Sequence, residues 1–248
     1  MSRVLLTEAP LLLCCTHHKA GAALFYTIFR EIANKLKLQT KICLSEGSEE
    51  DLDENTVVWF HRNRVVEFEK IQKPYRGIHI VRDPGDVIVS GYLYHQRCTE
   101  PWYLHPRDDL CGQSYQEHLL NVDQEEGILF EMTHIGAFTL EKMQAWNYAN
   151  PQIMEIRLED IRRAYTSLFT EIFTFLGFSP DVIPQCLVIA NKHSIETFSE
   201  EHSHSDPHIH LPELQKWKTY FTDDHKTEFK QLYGDLLIAL GYETSYAW

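Results

Sequence analysis

Gly77-Ile78-His79-Ile80-Val81, then Arg82-Asp83-Pro84-Gly85-Asp86, then Val87-Ile88-Val89-Ser90-Gly91-Tyr92, is the stretch that decides the fold. Its first five residues are apolar around one histidine, which is a buried strand by composition. Asp83 is a good helix N-cap. Pro84 suits the first helical position, because its ring fixes φ and its missing N–H is not needed there. The helix is predicted to run to about Gln96. A strand, a tight turn and a helix in immediate succession form the unit from which helix-covered parallel sheets are built.

The same unit stands near the N-terminus. Leu11–Thr16 is a short apolar run followed by Lys19 and Gly21. Leu24, Ile28, Ile32 and Leu36 then recur every four residues, so a helix is predicted to about Leu38. Thr56–Phe60 and Gln152–Arg157 read as further strands, the second by its alternation. Helical patterns cover Ile135–Ala149, Glu159–Leu176 and Pro180–Lys192, with Gly177 separating the last two. A final helix starts at Asp223 or Asp224, presents Phe229, Leu232, Leu236 and Leu240 on one face, and stops at Gly241. Glu46–Asn55 is acidic and reads as a solvated loop. Thr99–Glu126 has no clear period and carries Pro101, Pro106 and Gly112, so it is expected to be an irregular functional loop or lid.

Composition narrows the function. The chain has 248 residues, 44% hydrophobic and 24% charged, the balance of one soluble globular domain over residues 1–248. Lys and Arg number 23 against 36 Asp and Glu, a net charge of −13. Broad nucleic-acid surfaces need many cations, so no nucleic-acid partner is expected, although one basic pocket for a small polyanion remains open. Ala9–Cys15, the longest apolar run, is too short to span a bilayer, so no membrane partner is expected. The N-terminus lacks the zones of an export signal, which implies a cytoplasmic protein with its six cysteines reduced. No CxxC pair supports a zinc ribbon or dithiol site.

Two segments carry chemistry. In Thr16-His17-His18-Lys19-Ala20-Gly21-Ala22-Ala23-Leu24, backbone N–H groups at a helix N-terminus stand beside a lysine, an anion site in kind. It is not a Walker A loop, since the lysine precedes the glycine. In the second segment Arg82 ends a strand, where open α/β sheets bind ligands, and Ser90 lies two turns into the helix. Read alone, the first is also a tight turn and the second a helix cap with a surface ion pair. His202, His204, His208 and His210 form a polar stretch. Pro207 argues against the helix that would align them on a metal, so a solvated loop or acceptor lid is expected, with no metal.

Together the two segments resemble the cytosolic sulfotransferase family, whose sulfuryl donor is 3′-phosphoadenosine 5′-phosphosulfate (PAPS). Lys19, Ala20, Gly21, Ala22 and Ala23 match its Lys-Ser-Gly-Thr-Thr loop for the 5′-phosphosulfate, flanked by His18 and Leu24. Arg82 to Ser90 reproduces its Arg-(Asp/Asn)-Pro-x-Asp-Val-x-x-Ser segment for the 3′-phosphate. Glu155–Ile161 resembles its Tyr-Glu-Asp-Leu region, and Trp217–Thr222 its Trp-Lys-x-x-Phe-Thr. The matches run in order along nearly the whole chain. Departures are specific: Ala22 and Ala23 replace two hydroxyls, Trp59 a lysine, and Leu158 a tyrosine that contacts adenine. The Arg-Lys-Gly that completes the 3′-phosphate site is not recognisable in Ile209–Trp217, where Lys216 and Lys218 are the nearest cations. Ser194 and Phe198 fall at family adenine contacts.

The resemblance implies a three-layer α/β/α domain with a central parallel sheet of about five strands, like the P-loop nucleotide kinases. It implies sulfuryl transfer from PAPS to a hydroxyl of a small-molecule acceptor, with 3′,5′-bisphosphate (PAP) as product, no metal, and a monomer or homodimer. Lys19 would offset charge on the leaving phosphate oxygen, and Arg82 and Ser90 would grip the 3′-phosphate. His61, after the Val57–Phe60 strand, would be the general base, with His17 and His18 as competitors. The −13 charge and the acids between Asp108 and Glu126 point to a neutral or cationic acceptor, such as an amine or guanidinium natural product. An ATP–magnesium kinase and a nucleotide-binding module without activity stay open beside this.

Overall fold

The computed structural model of the chain describes residues 11–43, 56–194 and 214–248. They form two compact units, residues 11–81 with 145–194, and residues 82–144 with 214–248.

The first unit is built on a five-stranded sheet: β1 (Leu11–Thr16), β2 (Gln39–Cys43), β3 (Thr56–Arg62), β4 (Tyr75–Val81) and β5 (Ile153–Arg157). The order is β2-β3-β1-β4-β5, and every pairing is parallel. Strand alternation divides the side chains. Leu12, Cys14, Val58, Phe60, Ile78 and Ile80 point to one face, where they pack against Phe25 and Ile28 of helix α1 (Ala22–Leu36) and against the later helices of this unit. Leu13, Cys15 and Trp59 point to the other, with Val66, Ile71 and Trp146. A parallel sheet apolar on both sides is one covered on both sides.

The second unit surrounds helix α2 (Pro84–His95), almost all of whose residues are buried. Asp83 caps it, accepting from Gly85 N at 2.9 Å. Around it stand α3 (Pro101–Leu104), α4 (Tyr115–Asn121), α5 (Gln124–Thr133) and α6 (Ile135–Gln144). The buried Glu131 of α5 ties three of these helices together, with His95 Nδ1 at 2.8 Å and Tyr115 Oη donating at 2.9 Å.

The remaining helices are α7 (Asp160–Arg163), α8 (Tyr165–Phe175) and α9 (Ile183–Lys192) in the first unit, then α10 (Trp217–Tyr220) and α11 (Asp223–Ala239) in the second. The expected irregular lid over Thr99–Glu126 is therefore corrected to short helices. Its acids cap them: Ser114 and Glu117 close a capping box, and Asp123 accepts from Glu126 N at 2.9 Å. Each helix is too short for its apolar spacing to show a period. The helix expected over Glu159–Leu176 breaks at Ala164 (φ −154°, ψ 49°). The one expected to Ala149 stops at Gln144, because Trp146 leaves the helical path to pack on the sheet. β2 was not anticipated. It is an edge strand with Ile42 exposed, so it lacks the apolar run of its neighbours. The acidic stretch Glu46–Asn55 lies outside the described residues.

Phe169 on α8 is fully buried against Phe25 and Phe173, at ring separations of 5.9 and 5.8 Å. Phe169→Ala is expected to cost about 3–5 kcal/mol, read as a lower denaturant midpoint with an unchanged slope.

Candidate active site

The chain runs from β1 outward through α1 to β2, and from β4 in the opposite direction to β5. The topological switch point therefore lies at the carboxyl ends of β1 and β4, where such sheets take ligands. The loop after β1 is wound tightly. Ala20 N donates to His17 O at 3.1 Å, and Lys19 and Gly21 adopt left-handed φ of 60° and 83°. Gly21 precedes α1 without a side-chain cap, and no acidic residue stands in the first helical turn. The amides of Ala22, Ala23 and Leu24 have no intrahelical acceptor by the geometry of a helix start, so backbone alone offers an anion site where hydroxyls are missing. Lys19 and His18 are half-buried beside it.

Gly21 is fixed by what packs on it. A Cβ there would stand 2.6 Å from Leu158 Cδ1, and Leu158 is itself held by its N–H donating to Val81 O at 2.8 Å. The structure thus brings the loop glycine and Leu158 together. Asn63, left-handed after β3, joins the same edge: its N–H donates to Thr16 O at 2.6 Å, and its side-chain oxygen accepts from His18 N at 3.4 Å.

His61 is 1% exposed, on the face that carries Trp59, with ring centroids 3.9 Å apart. Neither ring nitrogen has a hydrogen-bond partner among the described residues. Burial, with Arg64 nearby, lowers its pKa to about 3, so the ring is neutral at every ordinary pH. Parallel register places it in a row across the sheet: His61 opposite Cys15, Cys15 opposite His79, His79 opposite Glu155. His17 Nε2 lies 2.8 Å from His79 Nε2, and His79 Nδ1 lies 2.5 Å from Glu155 Oε2. Trp146 Nε1 donates to Glu155 Oε1 at 3.0 Å and stacks on His79 at 3.8 Å. Burial raises Glu155 to about 7 and lowers His79 to about 3. Sequence reasoning passed over His79, Glu155 and Trp146. The available signal was a histidine inside an otherwise apolar strand and a glutamate inside the last one.

In the second unit Arg82 is 7% exposed directly after β4, and Ser90 is half-buried on α2. The two aspartates of this segment serve the fold. Asp86 accepts from Gln215 N and Trp217 N, each at 3.0 Å, and Asp83 accepts from Trp217 Nε1 at 3.0 Å. Gly85 leaves room for that indole, whose Cγ would lie 2.5 Å from a Cβ. The Arg82–Ser90 and Trp217–Thr222 segments are thus one clamp. Lys218 is exposed and ion-paired to Glu243 at 3.3 Å. Ser194 is half-buried just after α9. Phe198, His202, His204, His208 and His210 lie outside the described residues. Among the described residues no three His, Cys, Asp or Glu side chains are grouped to hold a metal ion, and no helix is long and apolar enough to cross a membrane.

A sulfotransferase-domain family model matches residues 68–241, and the chain belongs to that family. Among solved structures, mouse sulfotransferase SULT7A1 complexed with PAP is similar at a TM-score of 0.60 and 14% identity, over 96% of this chain and 87% of that one. Retinol dehydratase with androsterone and inactive cofactor PAP is similar at 0.56 and 14% identity, over 94% and 82%. No curated protein matches the chain by sequence.

Asp86→Ala strands two backbone N–H groups of the segment it clamps, so a loss of about 2–4 kcal/mol is expected by denaturant titration. Asp86→Asn, which keeps one acceptor, should lose less.

Proposed function

We propose that this protein transfers a sulfuryl group from PAPS to a hydroxyl of a small molecule. The observation that carries the proposal is the complete Arg82-to-Ser90 segment, placed at the turn from β4 into α2 with Arg82 nearly buried. Membership of the sulfotransferase family and the PAP bound in structurally similar proteins support it. The amides of Ala22, Ala23 and Leu24, with Ala20 and Gly21 shaping the loop, hold the 5′-phosphate. Lys19 offsets the charge that develops on the bridging oxygen as the bond to sulfur breaks, stabilisation aimed at the transition state. Arg82 and Ser90 hold the 3′-phosphate, a charge-assisted contact that separates PAPS from ATP-like donors. Leu158, Ser194, Phe198 and Lys218 complete the nucleotide contacts.

The acceptor's proton passes to a histidine: His61, which the resemblance nominates, or His17 or His18. An aliphatic hydroxyl is a poor nucleophile until that proton is being removed, so the base governs turnover more than binding. The acceptor is small and neutral or cationic, consistent with the net charge of −13 and with the androsterone and retinol complexes of the structurally similar retinol dehydratase. Asp109, Glu117 and Asp123 are engaged locally by Arg107, Ser114 and Glu126, which leaves net charge as the main argument against polysulfated chains. A natural-product acceptor and a cytoplasmic setting belong to this same proposal.

Calorimetry tests it. PAP should bind the native protein, and Arg82→Ala should weaken it by roughly 2–4 kcal/mol, since a buried phosphate charge loses its partner. AMP, without a 3′-phosphate, should bind both proteins alike. Equal losses for PAP and AMP, or binding of ATP–magnesium in place of PAP, would overturn the assignment.

A further inference from the structure

In the loop after β1, Lys19 stands at a left-handed φ of 60°, which a Cβ makes unfavourable and which persists where the surroundings impose it. Three contacts bear on that loop. Leu158 packs on Gly21. His18 N donates to the Asn63 side chain. His17, which opens the loop, accepts from Ala20 N at 3.1 Å through its carbonyl, and its ring meets His79 with 2.8 Å between the two Nε2 atoms. His79 is held in turn, with Nδ1 2.5 Å from Glu155 Oε2 and the ring stacked on Trp146 at 3.8 Å. We infer that Glu155 is a positioning residue for the anion loop: through His79 it fixes the His17 ring, and with it the turn that presents Lys19 and the amides after Gly21 to the 5′-phosphate. This rests on the sulfuryl-transfer proposal and adds to it what holds the loop in shape.

His17 is 1% exposed and the His79 side chain fully buried, so water does not compete for the bond between the two rings. Each neutral imidazole has one donor and one acceptor, and the chain therefore closes in either protonation state of Glu155. Ionised, the carboxylate accepts from His79 Nδ1, and His17 Nε2 donates to His79 Nε2. Protonated, the carboxyl donates to His79 Nδ1, and His79 Nε2 donates to His17 Nε2. Burial raises the Glu155 carboxyl to about 7, so both forms are present at neutral pH. Burial also lowers His79 to about 3, which keeps its ring neutral. Trp146 Nε1 donates to Glu155 Oε1 at 3.0 Å, so one oxygen orients the carboxyl while the other engages His79.

Substitutions at Glu155 therefore divide by hydrogen bonding and not by charge. Glu155→Gln keeps an oxygen for the Trp146 N–H and offers His79 Nδ1 a donor, as the protonated carboxyl does. Glu155→Leu has a similar volume and neither group. His79→Phe keeps a ring to stack on Trp146 and removes both bonds of the imidazole. With the chain broken, His17 keeps its backbone bond to Ala20, but its ring loses the anchor on β4. The turn that fits the phosphate then becomes one conformation among several. Affinity for a ligand of the loop falls by the fraction of molecules still in that turn, so about one in ten gives roughly a tenfold loss.

Calorimetry on the folded variants tests this with PAP, with AMP, which carries the 5′-phosphate alone, and with adenosine 3′-phosphate, which has no group for the loop. Glu155→Leu and His79→Phe should each weaken PAP and AMP roughly tenfold and leave adenosine 3′-phosphate unchanged. Glu155→Gln should bind all three as the native protein does. A role in stability alone would lower the denaturant midpoint and leave the affinities of the folded protein as they are, or weaken all three ligands alike. Either result overturns the positioning role, and so does Glu155→Gln binding as weakly as Glu155→Leu. If Glu155→Leu does not fold, His79→Phe decides. PAP bound equally by the native protein and the broken-chain variants overturns the positioning role and leaves sulfuryl transfer standing. A native protein that binds no PAP overturns sulfuryl transfer itself.

Discussion

A parallel sheet puts the carboxyl ends of all its strands on one edge, and here β1 lies between β3 and β4, so its register sets which residues meet there. Cys15 stands opposite both His61 and His79, and β4 carries the row on to Glu155. A slip of one residue in any pairing would turn that strand's polar group toward Phe25 and Phe169 on the opposite face. The apolar faces of the strands fix the register, and the register in turn aligns the polar row. Stability and site geometry are in this sense one constraint.

Residues that look alike in a motif divide their labour once folded. Asp83 and Asp86 bind no ligand in this account. They hold Trp217, and with it the turn that precedes α11. Gly21 is required twice over, by its left-handed backbone and by Leu158 against its Cα. Ala22 and Ala23 carry no hydroxyls, and the first turn of α1 has no side-chain cap, so its main-chain amides are the donors in the proposed anion site. Leu158, at the position where the resembled family has a tyrosine, packs on the loop at Gly21.

Much of the fold was legible because its signals are local. The runs at Leu11–Thr16 and Gly77–Val81, and the Asp83–Pro84 helix start, need no long-range information. What was not legible depends on distance or on exposure. β2 alternates polar and apolar residues on an open edge and so lacks the signature of its neighbours. The short helices between Pro101 and Thr133 are defined by Ser114 and Asp123 caps instead of by a period. The Trp217 clamp joins residues 134 positions apart. The candidate site divides the same way: Lys19 to Leu24 and Arg82 to Ser90 stand out by residue type alone. His79 and Glu155, 76 positions apart, become a pair only once β4 and β5 align.

A family assignment from residues 68–241 and a fold shared at 14% identity leave the transferred group as the central claim about this chain. In the proposed function Lys19, Arg82 and Ser90 serve a donor with phosphates on both the 3′ and 5′ positions of its ribose, and no magnesium enters the account. The most direct measurement incubates the native protein with radiosulfur-labelled PAPS and, in parallel, with ATP labelled on its terminal phosphate and supplied with magnesium, against a mixture of small hydroxyl compounds. The account predicts sulfur label on an acceptor in step with PAP formation, and no phosphate label. Phosphate label on the acceptor, with PAPS untouched, would contradict it.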